Sequence, residues 1–306
     1  MIANFFYKCR FSYNKAGKFA ILNNKINTIF ANLVIPCVYR LSKKQEDRPI
    51  ADDVIVSLTT YPPRIQQASF CIESLLRQTI KPNKIILWLA ESDYQTVNDV
   101  PYEILKYVER GLEIRICEDL KSYKKIFYTA LKFPEFRIVT ADDDFFYPET
   151  WLEELIEQHN RYPQCIVCHR SHRIIQNKGK LIPYGEWDWY SNGFKGPLHS
   201  LHILTGAGAI FPKNFFKCDF FEKDVFLKLA PTTDDMWVKV YALRKNTKVV
   251  KVHPVSKSLI EILGSQRVSL ISKNQSDGNS KSLNALLEYY GINIISIVTE
   301  EENNPC

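Results

Sequence analysis

Long apolar runs are missing from this chain. No stretch of about 18 uninterrupted apolar residues occurs, which argues against a membrane-spanning helix. Glycine is sparse, 11 in 306 residues, and no internal repeat or low-complexity tract is present, so collagen-like and coiled-coil readings fall away. A disulfide framework is missing too. The eight cysteines (9, 37, 71, 117, 165, 168, 218 and 306) are scattered, and several sit in apolar runs such as Ile114-Arg-Ile-Cys117. There a thiol behaves as a small buried hydrophobe, which points to a reducing compartment. Cys165-Ile-Val-Cys168-His169 with His172 lacks the second knuckle of a zinc site, and in a strand its two thiols face opposite sides.

A basic surplus is missing from most of the chain. Residues 1–50 hold nine Lys/Arg and two acids, a charge of +7; the remaining 31 bases and 32 acids carry −1, against a total of +6. A nucleic-acid groove across the body is therefore not expected. What is present is ordinary globular composition, 45% hydrophobic and 24% charged, enough for one large domain or two small ones.

The basic segment carries Leu22, Ile26, Ile29, Phe30 and Leu33 at helical spacing, with Asn23, Asn24, Lys25 and Asn27 mainly off that face. Residues 1–51 read as a basic amphipathic helix plus linker, the polar stretch 42–51 being the linker. One reading lays residues 1–45 on an anionic membrane surface. The plainer and favoured one packs the helix on the body with its lysines solvated. A secretory leader fits poorly, because the asparagines and lysine break any apolar core.

After residue 51 strands and helices alternate: strands over 54–60, 84–89, 112–117 and 137–140, helices over 65–78, 102–110 (stopped by Gly111) and 123–131. This alternation predicts an α/β fold, a mostly parallel sheet with helices on both faces. Ligands in such sheets bind beyond the carboxyl ends of the strands. There the fourth strand runs into Asp142-Asp143-Asp144. Alternate residues of an extended chain share a side, so Asp142 and Asp144 can converge on one Mg²⁺ or Mn²⁺. The competing reading is a solvated, helix-capping turn. Aromatic–acid interleaving at Tyr184-Gly-Glu-Trp187-Asp-Trp189-Tyr suits sugar faces and hydroxyls, or equally a lipid-facing or core-packed stretch.

Six segments together carry a resemblance. Val56–Ile65 (VSLTTYPPRI), Gln78–Ile85 and the Asp142–Asp144 triplet, followed by Thr205-Gly206-Ala207-Gly208-Ala209, Thr233-Asp234-Asp235-Met236-Trp237 and a lone His253 after a strand, resemble bacterial GT-A-fold glycosyltransferases. The likeness is to family-2-like enzymes of surface-polysaccharide synthesis and covers residues 52–260, leaving 261–306 as a C-terminal helical or irregular extension. It implies a Rossmann-like GT-A fold and a metal-dependent, inverting transfer of a sugar from a nucleotide-diphosphate donor, UDP-sugar favoured, to a glycan or lipid-linked acceptor. Apart from the resemblance, the scattered cysteines point to a cytoplasmic enzyme, and the basic segment, where it lies on lipid, to one peripheral on the inner face of the membrane. By the resemblance, Asp235 becomes the general base. Asp234, Gly206, Ala207, Gly208, Trp187 and Trp189 face the acceptor. Thr59, Thr60, Tyr61, Arg64, Glu91, Asp119, Lys124, Lys125 and Asp143 line the nucleotide. Asp142, Asp144 and His253 hold the metal. Lys124 and Lys125 at a helix start oppose the helix dipole, which hints at an anionic partner. Two other classes stay open: a sugar-nucleotide nucleotidyltransferase, although Thr-Thr-Tyr-Pro-Pro-Arg replaces its usual Gly-rich phosphate loop, and a non-catalytic glycan-binding module.

Overall fold

Residues 54–58 place apolar side chains on both faces of a strand. Val54, Val56 and Leu58 enter one core cluster, while Ile55 joins Ile86 and Trp88 in another. A strand buried on both sides belongs in the middle of a sheet. The computed structural model, which describes residues 2–12, 17–42, 47–265 and 278–303, puts it there.

Helices α1 (Ile2–Lys8) and α2 (Lys18–Leu41) precede β1 (Ile50–Thr59). Then come α3 (Ile65–Leu75), β2 (Lys81–Ala90), α4 (Tyr102–Leu105), β3 (Leu112–Cys117), α5 (Lys124–Lys132) and β4 (Arg137–Thr140). Next are β5 (Phe145–Phe146), α6 (Trp151–Arg161), β6 (Ile166–Cys168), β7 (Ser171–Arg173), β8 (Gln176–Asn177) and β9 (Lys180–Leu181). The chain continues through β10 (Leu201–Ile203), β11 (Ala209–Phe211), α7 (Lys223–Leu229), α8 (Asp234–Arg244), β12 (Val249–Lys251), β13 (Ile260–Glu261), α9 (Asn279–Tyr289) and α10 (Ile294–Asn303).

The central sheet has seven strands in the order β12-β6-β11-β4-β1-β2-β3. Only β11 runs against its neighbours. This is the mostly parallel α/β sheet expected from the sequence. Because β11 is reversed, the loop that precedes it lies at the same edge as the carboxyl ends of the other strands. On one face α3 and α6 supply Ala68, Ile72, Leu75, Leu152 and Leu155. On the other, α5 and α8 supply Ile126, Ala130, Trp237 and Val240. Leu283, Leu286 and Leu287 of α9 and Val298 of α10 join that second cluster.

Some boundaries differ from expectation. β1 begins at Ile50, paired with Lys81, with a register shift between Ala51 and Ile55. The linker is thus shorter than 42–51, and its residues 43–46 lie outside the described ones. The helix expected over 102–110 is only α4 plus a 3-10 turn at Val108–Arg110. Gly111, at φ +102°, ends it, and the Leu112 amide donates back to the Tyr107 carbonyl as the chain swings into β3.

The larger surprise is the orientation of α2. The helix forms, but its body-facing side carries Ala20, Asn27, Ala31, Ile35 and Tyr39. The apolar stripe Leu22, Ile26, Ile29, Phe30 and Leu33 points outward, 45–63% exposed. Small residues on the inner side let the helix approach the body closely, and two alanines, Ala20 and Ala31, provide that here.

Candidate active site

Ser57 sets the first piece of the site. Its fully buried hydroxyl donates to the Lys125 carbonyl at 2.5 Å and meets the Thr129 hydroxyl at 2.7 Å, so β1 fixes the start of α5. That aims the Lys125 side chain along the edge where β4 ends. Lys125 Nζ lies 2.6 Å from Asp142 Oδ1 and 3.3 Å from Asp234 Oδ2. One buried ammonium thus joins the strand-end acids to the helix-start acids. Burial alone would lower its pKa, but the charges of Asp142, Asp234 and Asp235 hold it above the usual lysine value.

Arg64, on the turn after β1, does the same for the other two acids of the triplet. Its Nη1 is 2.9 Å from Asp143 Oδ1 and 3.4 Å from Asp144 Oδ2. Thr60 donates its hydroxyl to Asp143 Oδ2 at 2.5 Å. Asp143 is therefore a buried node that ties the β1 turn to the β4 end. Burial pushes its carboxyl up, against the pull of Arg64 and Thr60.

Asp234 and Asp235 occupy the first turn of α8 behind Thr233, as expected. Asp234 is buried and paired with Lys125; Asp235 is only partly buried. Its Oδ1 accepts from the Thr205 amide at 3.1 Å and the Thr205 hydroxyl at 2.5 Å. Burial first, and the charge of Asp234 second, push the Asp235 carboxyl up to about 7. A carboxylate with such a pKa is matched to proton transfer near neutrality.

The glycine loop passes between these groups. A Cβ on Gly206 would stand 1.7 Å from Asp142 Oδ2, and one on Gly208, at φ +110°, would stand 2.3 Å from Trp151 Nε1. Both positions need the missing side chain, the second also for its backbone angle. Tyr147 donates its hydroxyl to the Gly206 carbonyl at 2.6 Å and accepts the Asp142 amide at 2.8 Å. Trp151 Nε1 donates to the Ala207 carbonyl at 3.0 Å. Gly206→Ala is expected to displace the Asp142 carboxylate, to lower stability by about 1–3 kcal/mol as overpacking does, and to lose activity. Thermal melts of Gly206→Ala and of Gly206→Ala combined with Asp142→Ala check this. The double variant should recover stability if the clash is the cause.

The remaining expected site residues separate into groups. Thr59 donates its hydroxyl to the Trp88 carbonyl, and Tyr61 sits under Arg64, its ring 5.7 Å from the guanidinium carbon. Glu91 is exposed at the end of β2. Lys124 pairs with Asp119. Burial works against ionising Asp119, yet the bonds from Lys124 and the Lys121 amide hold its carboxyl below the usual range. The partner hinted at by the lysine pair is thus, in this structure, a set of the chain's own carboxylates. His253 Nε2 lies 3.4 Å from Glu154 Oε2, with His169 on the same carboxylate at 3.9 Å. No contact joins His253 to the aspartates among the pairs described. Trp187 is 4% exposed and donates its indole N–H to the Ile182 carbonyl, which places it in the core rather than on an open sugar platform. Trp189 stacks on His172 with ring centres 4.7 Å apart.

Three positioning residues carried no assigned role in the sequence. Thr205 was visible only as the start of the Gly-rich loop. Tyr147 and Trp151 follow the Asp triplet closely, and their aromatic character beside it was the one available signal.

The donor set bears on a metal ion. Asp142, Asp143, Asp144, Asp234 and Asp235 gather around two cations, Lys125 and Arg64. Carboxyl groups outnumber cations, and Asp142 remains 40% exposed. Among the described residues no cluster of three or more His, Cys, Asp or Glu side chains forms a cation cage. Hard divalent ions are commonly held by one or two carboxylates plus substrate phosphates; here Asp142 is paired with Lys125 and Asp144 with Arg64.

Comparison with protein-family models and with curated proteins finds no match. Among solved structures, S. aureus TarS 1-349 is similar at 14% identity and a TM-score of 0.46, over 82% of this chain and 77% of that one. The same S. aureus fragment in complex with UDP is similar at 14% identity and a TM-score of 0.45, over 65% and 57% of the two chains. The inositol-1-phosphate CTP transferase from T. maritima is similar at 8% identity and a TM-score of 0.42, over 77% and 96%.

Proposed function

We propose that this chain is a GT-A-type glycosyltransferase that moves a sugar from a nucleotide-diphosphate donor to a hydroxyl of a glycan or lipid-linked acceptor, with inversion. The observation that carries the reading is the Lys125 bridge. It draws the Asp142 end of β4 and the Asp234–Asp235 start of α8 to one edge of the sheet. A phosphate-handling acid pair and a candidate base then flank the same Gly206–Gly208 loop.

Asp235, held by Thr205, takes the proton of the acceptor hydroxyl as that oxygen attacks C1 of the donor sugar. The C1–O bond to the diphosphate breaks, and its electrons leave with the diphosphate oxygen. One base and one displacement invert the anomeric centre. A divalent cation, Mn²⁺ or Mg²⁺, held by Asp142 and Asp144 would neutralise the charge that develops on that oxygen. Thr60, Tyr61 and Arg64 on the β1 turn, with Glu91 and Asp119 after β2 and β3, are the proposed nucleotide side, and UDP is the favoured nucleotide. The turn between β1 and α3 is the proline-stiffened 3-10 segment Pro62–Arg64. That favours transfer of a sugar over synthesis of a sugar nucleotide, which calls for a Gly-rich phosphate loop there. The cysteines of the described residues are free thiols, which supports a cytoplasmic setting.

A panel of nucleotide sugars with Mn²⁺ or Mg²⁺, read as metal-dependent donor hydrolysis and as thermal shift, tests the proposal. Chelation should abolish turnover, and Asp142→Ala should both abolish turnover and weaken nucleoside-diphosphate binding. Unchanged turnover in excess chelator would remove the metal from the mechanism.

A further inference from the structure

Apart from Phe11 at its near end, the outward face of α2 meets no aromatic or core residue among the described residues, and its chemistry indicates what covers it. Phe19, Leu22, Ile26, Ile29, Phe30 and Leu33 are 45–74% exposed. At 100° per residue they occupy an arc of about 100° along a helix about 36 Å long. Cys37, also exposed, continues the arc. At the near end Phe11 lies against Phe19, ring centres 6.0 Å apart, and carries the apolar strip beyond the helix.

The opposite side is fastened to the body. Arg10 donates to the Asn27 side chain at 3.2 Å, to the Thr28 hydroxyl at 2.8 Å and to the Ser258 hydroxyl at 2.7 Å. Asn32 donates to the Glu261 carbonyl at 2.8 Å and accepts the Leu263 amide at 2.9 Å. Arg77 donates to the Tyr39 carbonyl at 2.6 Å. The helix cannot roll its apolar stripe inward without breaking these bonds. Its exposure is a property of the docked helix.

Charge selects the occupant. Lys18 and Lys25 border the strip on one side, Arg40 stands at its far end, and all three are exposed. No acidic residue occurs before Glu46. An apolar strip whose charged neighbours on its own helix are all basic matches the boundary between acyl chains and anionic headgroups. A second copy of the chain would bring the same cations against one another, which disfavours self-association through this face. The helix is too polar to cross a bilayer: none in the structure is long and apolar enough to do so among the described residues.

We infer that α2 is an in-plane membrane anchor whose Phe19–Leu33 stripe enters the lipid interface while Lys18, Lys25 and Arg40 meet anionic headgroups. The inference stands on α2 alone and does not depend on the reaction proposed above. It differs from attraction by charge in one measurable respect. Screening weakens headgroup attraction but leaves acyl insertion in place.

The test is flotation of the full chain with vesicles of phosphatidylcholine alone and of phosphatidylcholine mixed with phosphatidylglycerol, at low and high salt. The native protein should float with the mixed vesicles and keep most of that binding at high salt. Ile29→Asp combined with Leu33→Asp, at exposed positions, should abolish flotation at both salts while the far-ultraviolet circular dichroism and the melting temperature stay unchanged. Lys18→Gln, Lys25→Gln and Arg40→Gln together should weaken flotation mainly at low salt. As a second readout, an environment-sensitive fluorophore on Cys37 should brighten with mixed vesicles. Native flotation that disappears at high salt, or equal flotation of the double-aspartate protein, overturns the inference. So does a native dimer that fails to float and that the double-aspartate variant dissociates.

Discussion

Asp235→Asn is expected to lower glycosyl transfer by about 10²–10⁴-fold, the usual contribution of a general base, with nucleotide affinity unchanged. Asn keeps the oxygen that accepts from Thr205, so the loop geometry survives. The wild-type rate should carry an acidic limb near pH 7, since burial and then Asp234 push the Asp235 carboxyl up to about 7. Below that pH the base is protonated and kcat/KM falls. Stability moves the other way. The folded-state pKa lies above the ordinary 3.8, so the folded protein holds the extra proton between those values. This stabilising contribution is full below the ordinary value and is lost as the pH rises through about 7. Asn, which cannot ionise, escapes that loss. At pH 8 the Asp235→Asn protein should therefore melt no lower than the wild type while being nearly inactive. A low melting temperature together with low activity would mean unfolding instead. If Asp234→Asn were the slow variant and Asp235→Asn the active one, the base would be Asp234, contrary to its burial against Lys125.

The sheet was readable because β1, β2 and β4 are short apolar runs separated by helical periods, and the order of such units constrains a parallel sheet. The strand-end acids were readable for the same reason: their position follows from the end of β4. Less readable was anything set by pairing between distant segments. Arg64 meets Asp143 and Lys125 meets Asp234 only because the folded edge brings separate turns together. Spacing in the chain does not encode those partners. The lysine pair at 124–125 did signal an anion, since two cations at a helix start oppose the dipole. It could not say that the chain's own aspartates were that anion. Orientation was hidden where both sides of an element are apolar. In α2 the outward stripe and the inward Ala20, Asn27, Ala31, Ile35 and Tyr39 share the same helical period, so the period alone could not decide the face. At Trp187 the interleaved acids suggested an open sugar face, but the indole N–H found the Ile182 carbonyl and the ring was buried.

Lys125→Met should separate the roles that meet at this edge. The side chain is 4% exposed, and Met has nearly its length without the charge. Removing one partner of a buried ion pair costs about 3–5 kcal/mol, because the other charge stays buried and uncompensated. Asp142 can turn to water, being 40% exposed, but Asp234 is 9% exposed and cannot. The cost should then fall near the lower end, about 3 kcal/mol, and the melting temperature by roughly 6–12 °C at about 2–4 °C per kcal/mol. The decisive readout is the pH profile. Lys125 is one of the groups that lower the Asp235 pKa, so its loss should move the acidic limb above about 7. Turnover at pH 7 then falls steeply and recovers in part at higher pH, whereas Asp234→Asn should move the limb down. Opposite displacements from these two substitutions would mark Lys125 as the residue that keeps Asp235 ionised at neutral pH. A limb that stays in place while nucleoside-diphosphate affinity collapses would instead make Lys125 a phosphate ligand, as the lysine pair first suggested, and would leave the tuning of Asp235 to burial, Asp234 and Thr205.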